Sequence, residues 1–196
     1  MHKEPPTMQV RFGKSVMSFP SKQLGELRDS SDLLGDGPAL QARIEQDGYL
    51  FVPALIDREK VLAARRRILE YMAEHEGLEP GSRPFDGVMG QYGKSVGLMG
   101  RKPITHADEA EAVLEGEELF RFYETFFGEA ARTFDYKWLR AVGNEQFTGC
   151  HYDVVYMGRG SGNLHTAWVP FGDVPIHQGT LAVCEGSHNL PGFQKL

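Results

Sequence analysis

A chain of 196 residues, 41% of them hydrophobic and 24% charged, has the make-up of one ordinary globular domain, neither collagenous nor poor in core-forming side chains. At that length folding buries about 70% of the surface an unfolded chain exposes, so the two cysteines are not needed as a disulfide framework. A formal charge of −6, with no basic run beyond Arg65-Arg66-Arg67, argues against nucleic acid as the main partner, because nonspecific affinity for a phosphate backbone comes from basic stripes.

The N-terminus has a charge but no apolar stretch behind it, so no secretory signal is read and the cytoplasm is the expected compartment, with Cys150 and Cys184 reduced. Both cysteines are expected to act as small buried side chains. The longest apolar run, residues 49–56, is less than half a membrane span and contains Pro53. Residues 1–35 are polar and punctuated by Pro5, Pro6, Gly13, Pro20 and Gly25, and are expected to form an irregular arm ahead of the domain proper, residues 36–196. Asp36 and Pro38 are a cap and first-turn pair for a short helix that stops at Asp47-Gly48. Tyr49-Leu50-Phe51-Val52 then suits a short buried strand. Asp57 caps a longer helix in which Val61, Leu62, Ile68, Leu69 and Met72 share a face, leaving the arginine cluster on a solvated side.

Residues 77–103 hold seven glycines and three prolines, too many for regular structure, and loops of that kind often cover a site. A further helix is expected over residues 108–127, its apolar surface rich in aromatics. After Gly128 the pattern changes to period two. Residues 134–140, 146–157, 165–171 and 180–184 each read as a short strand, which makes the chain an α+β protein whose second part is an antiparallel jelly-roll sheet.

Four of the seven histidines, His151, His165, His177 and His188, fall in this second part. His151-Tyr152-Asp153 is the sharpest feature. On a strand, side chains at i and i+2 share a face, so His151 and Asp153 can present a nitrogen and an oxygen to one point. Two histidines and a carboxylate on one face, with the other face open, suit non-haem Fe(II). The alternative for the triplet is a hydrogen-bonded surface pair or a helix-capping aspartate.

The order of His151-Tyr152-Asp153, then His165-Thr166-Ala167-Trp168 through Gly172-Asp173, then Gly179-Thr180-Leu181 and Gly186-Ser187-His188, resembles the phytanoyl-CoA dioxygenase family of Fe(II)/2-oxoglutarate oxygenases. Asp47-Gly48-Tyr49-Leu50-Phe51-Val52 and the helix after it resemble that family's opening unit, so the likeness covers roughly residues 40–192. It implies N-terminal helices packed on a double-stranded β-helix (jelly-roll) oxygenase core, with Fe(II) and 2-oxoglutarate as cofactors. It also implies His151 and Asp153 as metal ligands, and O₂ and a small or lipid-like organic molecule as substrates. The expected products are succinate, CO₂ and a hydroxylated substrate. The carboxylate of Asp153 favours hydroxylation over the halogenation done by relatives that carry a small residue there.

By the same resemblance, Arg140 stands where a basic group faces the bound dicarboxylate, and Trp168 matches a tryptophan that lines its pocket. A surface arginine at a strand end and ordinary core packing are the respective alternatives. The family's third ligand, a histidine, and the Arg or Lys that grips 2-oxoglutarate would follow Gly-Ser-His, beyond Leu196. The C-terminal strands of the sheet would follow there too. This sequence is therefore expected to be part of a longer protein. If it is not, it is a noncatalytic jelly-roll binding module with an incomplete metal site, or it recruits His165 or His177 as a substitute third ligand. His188 is expected to serve its turn, His165, just ahead of the Trp168 strand, to pack or to support a ligand rather than bind metal itself, and His177 to be exposed.

Overall fold

Glycine at position 13 sets the first element. In the computed structural model, which describes residues 7–89, 96–143, 148–158 and 160–192, β1 (Met8–Phe12) and β2 (Ser15–Phe19) form an antiparallel hairpin. Its two-residue turn has Gly13 at φ 60°, the left-handed geometry that the first position of a type II′ turn demands. The register pairs Met8 with Phe19 and Val10 with Met17, and Gln9 bonds Ser18 across the strands at 2.9 Å. This corrects the expected irregular arm over residues 1–35. A five-residue alternation on either side of Gly-Lys is a faint signal, and residues 20–35 of the arm carry no strand beyond a single bridge at Asp29.

Two compact units divide the chain, Met1–Pro53 with Val174–Leu196, and Ala54–Asp173. In the first, α1 (Gly37–Asp47) starts where Asp36 accepts a hydrogen bond from the Ala39 N–H at 3.0 Å and stops at Gly48, φ 84°. The expected strand after it reduces to a single parallel bridge between Phe51 and Asp29, with the Ser30 N–H donating to Phe51 O at 2.8 Å. The last carbonyls of α1 are satisfied from far along the sequence. Gly186 N–H donates to Asp47 O at 3.1 Å, and His188 Nε2–H donates to Glu45 O at 2.8 Å. His188 sits so close that a Cβ on Gly48 would lie 2.5 Å from its Nδ1.

In the second unit α2 (Arg58–Glu74) begins at Asp57, whose side chain accepts from the N–H groups of Glu59 and Lys60. It buries Ala64, Ile68, Leu69, Tyr71 and Met72; Ile68, Leu69 and Met72 are as expected from the spacing, while Val61 and Leu62 are only half-buried. Then come α3 (Lys102–Thr105), α4 (Asp108–Leu114) and α5 (Glu117–Phe127). The single helix expected over residues 108–127 is thus two. Gly116 lies at the break, where a Cβ would meet Ala112 O at 2.2 Å, a close approach only glycine permits. The 77–103 stretch contributes Leu78 and Leu98 to the core alongside Ile68, Met72, Ile104 and Leu139, so the described part of this loop is anchored rather than loose.

Beyond α5 the expected strands form no ladder among the described residues. Over residues 137–143 burial still alternates, with Lys137 and Leu139 inside and Trp138 and Arg140 outside. Of the expected strand 146–157, residues 146 and 147 lie outside the described residues, and Val154–Met157 is a short helix, α6. Phe134, Tyr136, Trp138, Tyr156 and Trp168 all remain exposed. A strand needs a neighbour for its N–H and C=O groups, and these segments meet none here. No described helix is long and apolar enough to cross a membrane.

Candidate metal centre

Gly149, at φ 80°, turns its carbonyl toward the ring two residues ahead. His151 Nδ1 lies 2.9 Å from Gly149 O. A carbonyl only accepts, so Nδ1 carries the proton and donates. That leaves Nε2, which stands 3.5 Å from Asp153 Oδ1. The side chains are 41% and 33% exposed, so the pair is open to solvent yet held on one side.

The convergence arises differently from the expected strand pairing. Asp153 has helical backbone angles and precedes α6, so a turn, not a pleat, brings the two side chains together. The capping alternative is tested by the same residue. Tyr156 and Met157 N–H groups donate to the main-chain oxygen of Asp153, while its carboxylate makes no cap hydrogen bond. The carboxylate is turned back to His151 instead.

Two bonds of about 2.1 Å from one first-row metal ion reach donors up to about 4.2 Å apart, so the 3.5 Å pair fits as two ligands of one ion. The Nδ1–H bond to a carbonyl is the arrangement that fixes tautomer and ring orientation in metal-ligating histidines. Among the described residues the donor set is two. Among the described residues no group of three or more His, Cys, Asp or Glu side chains is placed to hold an ion.

The remaining histidines have other partners. His165 Nδ1 donates to Asn163 O at 3.1 Å while its ring packs against Phe126 and Phe127, at centroid distances of 4.9 and 5.5 Å. His177 is exposed in a turn, and His188 caps α1.

Arg140 is exposed, its guanidinium 5.7 Å from the centroid of the Trp138 indole. Tyr156 of α6 meets the same indole edge-on at 6.4 Å, so Arg140, Trp138 and the helix that follows Asp153 form one connected cluster. Trp168 is 51% exposed, and no hydrogen bond or ring contact joins it to His151 or Asp153 among the described residues. Cys150 and Cys184 are exposed, which corrects their expected burial. Gly149 escaped the sequence reading, although a glycine two residues before the histidine is its visible trace.

A second polar cluster lies on α3. His106 Nε2 donates to Asp135 Oδ1 at 3.0 Å, His106 Nδ1 is 2.9 Å from Thr105 Oγ1, and Lys102 Nζ donates to Asp135 Oδ2 at 3.0 Å. The hydrogen bond from Lys102, then that from His106, hold the Asp135 carboxyl below the usual carboxylate range. Thr105 is fully buried, so this chain of contacts ties residues 134–135 to α3 and offers no nucleophile to solvent.

No protein-family model matches the chain, and no solved structure matches it.

Proposed function

We propose that the chain is part of an Fe(II)/2-oxoglutarate-dependent dioxygenase that hydroxylates a small or lipid-like organic substrate. The observation that carries this reading is the convergence of His151 Nε2 and Asp153 Oδ1 at 3.5 Å, with His151 oriented through Gly149 O and Asp153 free of any capping bond. A second observation supports it. The two ends of the resemblance, Asp47-Gly48 and Gly186-Ser187-His188, meet through hydrogen bonds, so motifs about 140 residues apart in sequence form one structural piece.

On this reading His151 and Asp153 hold the ion, and Gly149 fixes the imidazole so that its lone pair faces outward. When bound, ferrous iron with 2-oxoglutarate and O₂ supplies the oxidising power to replace a C–H bond by C–OH, with release of succinate and CO₂. Arg140 offers a positive charge to the dicarboxylate, with the Trp138 face holding its guanidinium in place. Trp168 lines the co-substrate pocket and helps exclude water, and residues 134–140, 165–171 and 180–184 would become strands of the jelly-roll core when partner strands pair with them. The third ligand and the group that grips the distal carboxylate are expected after Gly-Ser-His.

The two-member donor set favours one rival, a noncatalytic binding module with an incomplete metal site. Titration with Fe(II), or with Co(II) as a spectroscopic surrogate, combined with succinate release from 2-oxoglutarate, separates the two. The oxygenase reading expects metal binding by the chain that Asp153→Ala and His151→Ala each remove, and succinate release by a chain extended past Leu196 that Asp153→Ala abolishes. Neither metal affinity nor turnover in the extended chain would leave the binding module standing.

A further inference from the structure

Of the three consecutive arginines on α2, Arg65 and Arg67 are half-exposed and Arg66 is exposed, and Arg65 is the one held between two separate stretches of chain. Its Nη1 donates to Phe171 O at 3.2 Å. The next residue, Gly172, has φ 139°, and a Cβ there would come within 3.1 Å of Nη1 and 3.4 Å of the Arg65 Cδ. On the other side Gly87, φ 65°, would place a Cβ 3.2 Å from Nη2, and the Phe85 ring centroid lies 5.8 Å from the guanidinium carbon. One planar cation thus lies beside two glycines, each at a positive φ that disfavours any side chain and each so close that a Cβ would push the guanidinium away by a few tenths of an ångström. These glycines belong to different stretches, residues 77–89 and residues 165–173.

We propose that Arg65 is a positioning residue whose guanidinium couples the glycine-rich 77–89 stretch to the segment that carries Trp168. The fork has donors on two sides at once, which a lysine ammonium, a single point on a flexible stem, does not reproduce. Pro170 limits how far the chain can readjust between Trp168 and the anchored carbonyl of Phe171. The consequence for catalysis rests on the oxygenase reading, in which Trp168 lines the 2-oxoglutarate pocket and the 77–89 stretch belongs to a cover. There Arg65 keeps cover and pocket wall in step without touching substrate. Arg66 is an internal comparison. It stacks on the same Phe85 ring, at 5.7 Å, but is exposed.

Amide hydrogen exchange on the 196-residue chain tests the coupling independently of any activity, comparing Arg65→Lys, Gly172→Ala and Arg66→Lys with the unaltered protein. Arg65→Lys and Gly172→Ala are each expected to lower protection at residues 79–88, where Glu79, Ser82, Asp86 and Gly87 donate backbone hydrogen bonds, by about tenfold, while α5 keeps its protection; the 168–172 side of the coupling is read from the indole of Trp168. Arg66→Lys is expected to leave the solvent exposure of Trp168 unchanged. In a Trp138→Phe background, where Trp168 is the one remaining indole, Arg65→Lys is expected to raise acrylamide quenching of its fluorescence. Loosening of one stretch without the other, no change in either, or a uniform loss across the unit would each overturn the proposal. Absence of succinate release by an extended chain would remove the oxygenase reading, while the exchange result would still decide the role of Arg65.

Discussion

Truncating Leu98 to alanine tests whether the glycine-rich stretch is a true part of the fold. Leu98 is 2% exposed and packs in one cluster with Ile68 and Met72 of α2, Leu78, Ile104 of α3 and Leu139. Removing three carbons forfeits about 2.4 kcal/mol of transfer free energy at about 0.8 kcal/mol per methylene. A residual cavity adds to this, because neighbours drawn from several separate stretches of chain cannot all move inward together. The expected total is about 3–4 kcal/mol, inside the usual range for buried leucine truncations. With a urea dependence of about 2 kcal/mol per molar, the unfolding midpoint falls by about 1.5–2 M. Leu181→Ala, at a side chain 43% exposed, is the control and is expected to change stability by no more than about 0.5 kcal/mol. A Leu98→Ala loss below about 1 kcal/mol would show that residues 77–103 hang outside the cooperative core, and the anchoring deduced from Leu78 and Leu98 would be wrong.

Two further outcomes follow from local chemistry. Asp135 is held below the ordinary aspartate value of 3.8 by hydrogen bonds from Lys102 and His106, so its contribution to stability is complete above that pH and is lost as the pH falls through the lower folded value. Thermal unfolding followed from pH 5 downward is therefore expected to show an acid-side decline that is shallower in Asp135→Asn, with a residual slope from Asp29 and Glu118, whose carboxyls are lowered by their own hydrogen bonds; an unchanged slope would refute the assignment. Gly48→Ala is expected to destabilise by about 1–3 kcal/mol, because it combines φ 84° with a Cβ 2.5 Å from His188 Nδ1, and His188→Ala is expected to relieve the clash but not the backbone cost. Additive effects of the two substitutions in denaturant melts would show that the Gly-Ser-His turn does not rest on α1.

The helix ends were legible because their causes lie within a few residues. Asp36, Pro38 and Gly48 mark α1, and Asp57 marks the start of α2, since caps and left-handed terminators act on their immediate neighbours. Gly116 was less legible. Only its approach to Ala112 O, one turn back, shows why residues 108–127 break into two helices. Strand identity was least legible of all, because a ladder is a property of two segments. Period two was readable in residues 134–140, and it survives as alternating burial at Lys137 and Leu139, but no partner segment can be read from the pattern itself. Conversely, β1 and β2 pair across a Gly-Lys turn that lacks the strong Asn-Gly signal and was passed over.

The candidate site shows how spacing can hold while its geometric rationale does not. His151 and Asp153, two positions apart, converge as the spacing suggests, although a left-handed Gly149 and the first turn of α6, not a pleated strand, bring the side chains together. Stability gives no reason for that arrangement. A half-exposed imidazole and carboxylate at 3.5 Å contribute about 0–1 kcal/mol as an ion pair, and the helical backbone angles of Asp153 take it out of the capping conformation. The contact therefore adds little to folding. Metal affinity lost in Asp153→Asn with an unchanged melting temperature would separate the two roles, since a structural ion pair predicts the reverse.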